Sequence, residues 1–115
     1  MLYLFDSNPS LFKSWRVIQY EQEGDTYLLR VSAILQDDSR LEVRDYLFVD
    51  GSRTYAYQWM EPDNRLRHRW DNAPHWPSIS TNPHHTHRPG EEIPEPSSVT
   101  NLEDLMIFLQ EWFAK

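Results

Sequence analysis

All five histidines of the chain, His68, His75, His84, His85 and His87, fall between Arg65 and Arg88. The densest group is Pro83-His84-His85-Thr86-His87-Arg88-Pro89. Prolines at both ends bias the piece toward extended backbone. In an extended chain His85 and His87 point to one side and His84 to the other. Two imidazoles on one side fit two chemistries. One is metal-free acid–base catalysis, in which one histidine takes a proton and another gives one near neutral pH. The other is ligation of a divalent metal such as zinc by His85 and His87, with His75 or Asp71 as a third ligand. A histidine-rich surface loop that only packs is the third possibility.

The segment Arg69-Trp70-Asp71-Asn72-Ala73-Pro74-His75 leads into this group. Asp71 is a carboxylate that could orient an imidazole. Asn72 and Pro74 have the types that make tight turns. Upstream, Arg65, Arg67 and Arg69 alternate with Leu66, His68 and Trp70, so a strand here has a cationic face and an apolar one. A hairpin closed by Asp63-Asn64 would pair Met60 with Arg67, Trp59 with His68, Gln58 with Arg69 and Tyr57 with Trp70. Three cations in a row repel unless anions are near. Either carboxylates on neighbouring strands, such as Asp45 or Glu42, neutralise them, or they form a platform for phosphate groups. Arg67 and Arg69 are the candidate phosphate ligands.

These residues need elements to hold them. Alternation of apolar and polar residues, broken by turn signals at Gly24-Asp25, Asp37-Asp38-Ser39, Asp50-Gly51 and Pro62-Asp63-Asn64, predicts five strands between 15 and 70. Strands in succession joined by tight turns favour an antiparallel meander. From Asp71 to Val99 periodicity is lost and six of the eight prolines occur, so this piece is expected to be a long His/Pro-rich loop, with Gly90 to Ser98 as a linker. A helix is expected over 101–114. Thr100 and Glu103 form a capping box, and Leu102, Leu105, Met106, Leu109, Trp112 and Phe113 share one face.

Composition narrows the function classes. The chain has 115 residues, the size of one domain, and its five Trp, six Tyr and five Phe supply a large core. Without cysteine there is no disulfide framework and no thiolate metal site. No secretory leader or membrane-length apolar run is legible, so the expected setting is cytoplasmic, with no membrane partner. The net charge of −7 argues against a general nucleic-acid binder. It is uneven, however. Residues 65–90 hold four Arg and one Asp, while residues 1–64 hold six Lys/Arg and eleven Asp/Glu. A local cationic site can hold an anion despite the global sign.

The block Arg69-Trp70-Asp71-Asn72-Ala73-Pro74-His75, then Trp76-Pro77-Ser78-Ile79-Ser80-Thr81, then Pro83-His84-His85-Thr86-His87, resembles the TumE family, small bacterial toxins of toxin–antitoxin modules. The preceding strands and the final Leu102-Glu103-Asp104-Leu105 helix are similar too. The resemblance spans most of residues 15–113 and is specific in 69–87. It implies a toxin whose target is RNA, and a helix-turn-helix antitoxin as partner.

The expectation is therefore a single α+β domain over 1–115. An antiparallel sheet of about five strands packs on a C-terminal helix, and a long His/Pro-rich loop brings His75, His85 and His87 toward Arg67 and Arg69. The expected activity is that of a toxin-like endoribonuclease without a metal cofactor. His75, His85 and His87 would move protons and Asp71 would orient a histidine. Arg67, Arg69, Asn72 and His84 would line the substrate site, and Trp70 and Trp76 would stack on bases. Two alternatives stand beside it. One is a His-ligated metal site, hydrolytic or structural, on His75, His85 and His87. The other is a non-catalytic protein-interaction module. A second copy of the chain, as a homodimer, is also among the expected partners.

Overall fold

Three turns of one kind set the register of the sheet. In each, an aspartate side chain accepts the backbone N–H two residues on: Asp37 from Ser39, Asp50 from Ser52 and Asp63 from Arg65. Between each such pair lies a residue with positive φ: Asp38 at 68°, Gly51 at 84° and Asn64 at 70°. Aspartate, asparagine and glycine tolerate that left-handed conformation best. The same backbone bonds close all three loops: Leu35 N–H to Ser39 O, Phe48 N–H to Ser52 O and Glu61 N–H to Arg65 O. These are three-residue hairpin loops, a type I turn completed by a left-handed residue.

The computed structural model describes residues 1–115. A short helix α1 (Tyr3–Asp6) precedes β1 (Phe12–Glu23), β2 (Thr26–Leu35), β3 (Arg40–Leu47), β4 (Arg53–Met60) and β5 (Leu66–Asp71). Then come β6 (His85–His87), β7 (Glu95–Pro96) and the helix α2 (Leu102–Phe113). The seven strands form one sheet in chain order, every neighbour antiparallel. The α+β meander is as expected, but it has seven strands rather than five. The two extra strands come from the proline-rich segment. Ladder pairing with β5 and β7 holds His85–His87, and Pro94 and Ser97 are buried, so Gly90 to Ser98 is not a free linker.

One face of the sheet carries the core. Leu29, Val31, Ala33, Leu41, Val43, Tyr57, Trp59 and Trp70 pack beneath Leu102, Leu105, Met106 and Leu109 of α2. Phe108 meets Trp59, His68 and Trp70 edge-on. The cap of α2 lies one residue later than Thr100 and Glu103 suggest: Asn101 Oδ1 accepts the Asp104 N–H, and the Asp104 carboxylate accepts the Thr100 N–H. The shorter Asn and Asp side chains thus satisfy the Asp104 and Thr100 N–H groups in place of the Thr100–Glu103 pair. A buried polar cluster ties the sheet to this helix start. Arg53 grips Asp45 through Nε and Nη2 at 2.9 and 2.8 Å and donates through Nη1 to Thr100 O, while Tyr57 Oη donates to Asp45 Oδ2. Burial, with Asp45 beside it, pushes the Tyr57 hydroxyl well above its ordinary range, so it stays a donor.

Candidate functional site

The β4–β5 hairpin decides which arginines reach the site. The three-residue loop shifts the pairing near the turn, so Met60 faces Leu66 rather than Arg67. A bulge at Arg67 absorbs the extra residue and restores the expected pairs Trp59–His68, Gln58–Arg69 and Tyr57–Trp70. The run of three aligned arginines is therefore broken. Arg67 lies 4.5 Å from the Trp59 ring and is held by Glu61 and Asp37. Arg65 pairs with Asp63 at the turn. Only Arg69 remains on the face away from α2, where it donates to Gln58 and Asp71. The neutralising acids are Asp37, Glu61, Asp63 and Asp71. Asp45 is spent on Arg53, and Glu42 on Ser32 and Arg40.

Asp71 ends β5 and β6 lies alongside it, so pairing sets Asp71 against His85 and Arg69 against His87. With side chains alternating along a strand, Arg69, Asp71, His85 and His87 share the face opposite α2. The Asp71 carboxylate is their hub. Oδ1 accepts the Ala73 N–H at 3.0 Å and faces His85 Nε2 at 2.9 Å. Oδ2 accepts from Arg69 Nε at 3.0 Å and faces His87 Nε2 at 3.4 Å. Two hydrogen bonds, from the Ala73 N–H and Arg69 Nε, hold the carboxylate in place, and two imidazole nitrogens lie against it.

The two histidines differ. The His85 side chain is only 2% exposed, and that of His87 is 27% exposed. His85 Nδ1 lies 2.9 Å from Pro83 O and its Nε2 faces the Asp71 carboxylate, so both ring nitrogens meet oxygens that can only accept. A doubly protonated ring satisfies both, and so does a ring that keeps its Nδ1 proton and shares a cation with Asp71 through Nε2. His87 is held below its ordinary value chiefly by burial. The Asp71 charge opposes this, and the charges of His85 and Arg69 add to it. At neutral pH His87 is thus a neutral imidazole at the surface of the cluster.

The other expected site residues lie elsewhere. His84 points to the opposite side, as extended backbone requires, and its Nδ1 lies 2.7 Å from the buried Tyr55 hydroxyl. Burial raises the Tyr55 hydroxyl and lowers His84, so the phenol donates and His84 is a neutral packing partner. Asn72 acts as a turn residue. Its Oδ1 accepts the Tyr55 N–H and its Nδ2 donates to Arg53 O, pinning the segment to β4. Trp70 is 1% exposed, stacked on His68 under Phe108, so it has no open face for a base. His75 is exposed at the start of the loop and is not part of the ligand-capable group, which consists of Asp71, His85 and His87 within 4.8 Å of one another. Trp76 is half-buried nearby in sequence.

Two residues beyond those picked from the sequence share this face. Pairing continues the row from His85 and Asp71 through Ala56 to Arg44 and Arg30. The available signal was parity: Arg30 and Arg44 fall out of phase with the buried Leu29, Val31, Val43 and Asp45.

Three comparisons bear on this arrangement. The family model described as Toxin TumE matches residues 1–113, and the chain belongs to that family. Comparison with curated proteins finds no match, and comparison with solved structures finds none either. No helix of the structure is long and apolar enough to cross a membrane.

Proposed function

We infer, from membership of a toxin family together with the Asp71–His85–His87–Arg69 cluster, that this protein is a toxin that cleaves RNA by metal-free acid–base chemistry. The observation that carries the reading is a single rigid carboxylate holding two imidazoles and a guanidinium on a solvent-facing sheet surface. His87 is the group that meets substrate. As a neutral imidazole it takes the proton of a ribose 2′-OH, whose oxygen attacks the adjacent phosphorus. Arg69 lies beside it to balance charge growing on the phosphoryl oxygens. The bond to the 5′-oxygen breaks, water supplies that oxygen's proton, and the products are a 2′,3′-cyclic phosphate and a 5′-hydroxyl. His85 and Asp71 are positioning residues: buried, they fix the orientation of His87 and Arg69. A partner antitoxin, of helix-turn-helix type, holds the activity in check.

The test is cleavage of a single-stranded RNA by antitoxin-free protein, with end-group analysis. Wild type yields cyclic phosphate ends, and RNA bearing 2′-deoxyribose at the cleaved position resists. His87→Ala lowers the rate by about 10²–10⁴-fold, the usual contribution of a general base. Equal rates for wild type and His87→Ala would remove His87 from the chemistry, and cleavage of the 2′-deoxy substrate would overturn the mechanism.

A second reading is favoured by the His85 geometry. With its Nδ1 proton on Pro83 O, His85 presents Nε2 as metal-binding histidines do, beside Asp71 and His87. Against it, Arg69 already occupies Asp71 Oδ2 and puts a fixed positive charge at the site. Metal analysis of protein purified without a histidine tag separates the two. Stoichiometric zinc or manganese that is lost in His87→Ala favours the metal, and a metal-free, EDTA-insensitive nuclease favours acid–base chemistry.

A further inference from the structure

The surface between the His87 cluster and the β1 edge carries charge that the fold itself does not resolve. Arg30 on β2 and Arg44 on β3 are direct cross-strand partners, both exposed and both on the face away from α2. Like charges placed opposite one another destabilise a sheet. Six of the chain's nine arginines, Arg40, Arg53, Arg65, Arg67, Arg69 and Arg88, form ion pairs with acidic groups, whereas Arg30 and Arg44, like Arg16 near the chain start, form none. They line a shallow cavity of about 200 Å³ together with Ile18, Ala56, Gln58 and Arg69. The one acid on that lining, Glu42, is bonded to Ser32 and paired with Arg40. In a chain of net charge −7 this is a surface on which three arginines face a single acid.

We propose that Arg30 and Arg44 form a phosphate-binding track for a single-stranded nucleic acid whose reacting phosphate sits at Arg69 and His87. This deepens the RNA-cleavage reading and rests on it for the direction of the strand. Neighbouring strands lie ~4.8 Å apart. Arg44, two strands from Asp71, and Arg30, three strands away, are therefore roughly 10 and 14 Å along the row. That span takes the backbone one to two nucleotides beyond the reacting phosphate. Arginine suits the task, because its planar donors bind phosphate oxygens in pairs. Ala56 contributes only a methyl group in the row between Arg44 and Asp71, which leaves room for a chain to pass. Continuity with the Arg69–His87 cluster favours a phosphate backbone over an acidic protein segment as the occupant.

The experiment measures binding, so that it stands apart from catalysis. A fluorescently labelled single-stranded oligonucleotide of eight 2′-deoxynucleotides, which cannot be cleaved through a 2′-OH, is titrated with wild type and with the Arg30→Ala/Arg44→Ala double variant across a salt series. Folding of the variant is checked by thermal unfolding. Each single-strand phosphate contact contributes about 0.7 to the slope of log K against log salt. The double variant is expected to bind about tenfold or more weakly at low salt, with a slope shallower by about 1.4. Identical affinity and slope in wild type and variant would overturn the track. So would poly-glutamate displacing the oligonucleotide at equal charge concentration, since that outcome assigns the face to an acidic protein. A nuclease-inactive wild type that still shows the slope difference would refute the cleavage reading alone.

Discussion

The two faces of this sheet are made from the same strands by opposite rules. On the covered face, polar groups are spent inside the fold: Asp45 on Arg53, Tyr57 and Tyr27, the Trp59 indole on Ser39, and the Tyr55 hydroxyl on His84. On the open face Arg30 and Arg44 stand opposed without an ion pair, and His87 remains partly exposed and neutral beside the Asp71 carboxylate. Adjacent residues divide the labour. Trp70 is core, and Arg69 and Asp71 belong to the candidate site; Thr86 donates to Arg69 O while His85 and His87 lie against Asp71. The difference teaches where to look for function in a small sheet protein. The informative face is the one whose charges the fold leaves unbalanced, rather than the one with the larger aromatic cluster.

The largest effect should come from the covered face. Trp59 is fully buried among Phe108, Trp112 and Phe113. Trp59→Ala should cost about 3–5 kcal/mol in urea denaturation, the usual loss for a buried large aromatic. That is a large part of the roughly 5–15 kcal/mol that holds an ordinary domain together. A loss below about 1 kcal/mol would mean that the covered face is not where stability resides.

A second, smaller effect concerns a histidine of the covered face. His68 is on the covered face, 7% exposed, stacked 4.2 Å from Trp70, and its Nε2 is buried without a partner. Burial pushes it down to about 4, with the Arg88 charge adding and Glu95 opposing. The fold therefore favours the neutral ring, while the unfolded chain takes up a proton near the ordinary pH of about 6.5. This stability is fully present above about pH 6.5, falls as the pH drops toward 4, and is lost by about 3 kcal/mol at most. His68→Phe should flatten that part of the pH–stability curve relative to wild type between pH 7.5 and 4.5. Parallel curves for the two proteins would show that His68 is not held neutral by the core.

Much of this division is legible in the sequence, because period-two alternation assigns faces directly. The Trp59–His68, Tyr57–Trp70 and Gln58–Arg69 pairs follow from alternation, as does the opposite orientation of His84 and His85. Local turn chemistry limits it. Placing the turn at Asp63-Asn64 misses the left-handed Asn64 and the three-residue loop, and with them the bulge that withdraws Arg67. The strands β6 and β7 are short and proline-flanked, with no periodicity of their own; only the edge offered by β5 makes them strands. The hub role of Asp71 depends on that pairing. So does the separation of His75 from His85 and His87, which backbone direction in a loop decides and residue type does not. Arg30 and Arg44 are fourteen positions apart, and only the antiparallel register makes them neighbours.

The smallest effect has the more unusual sign. If the open face holds charge that only a ligand balances, removing one of its cations should stabilise the free protein. Arg44→Ala relieves the cross-strand repulsion with Arg30 and disturbs no ion pair. Its neighbour Val43 is buried in the core on the other side of the same strand. Arg44→Ala should therefore raise Tm by a few degrees, the shift expected for about 0.5–1 kcal/mol in a domain of this size. Val43→Ala should lower it. Replacing arginine with alanine also gives up β-propensity, which works against the gain. Salt distinguishes repulsion from propensity. In about 0.5 M salt, screening reaches a few ångströms and the gain should shrink, whereas a propensity effect would not change. A drop in Tm that is indifferent to salt would mean that Arg44 contributes to the fold as Val43 does, and that the two faces are less different than their charges suggest.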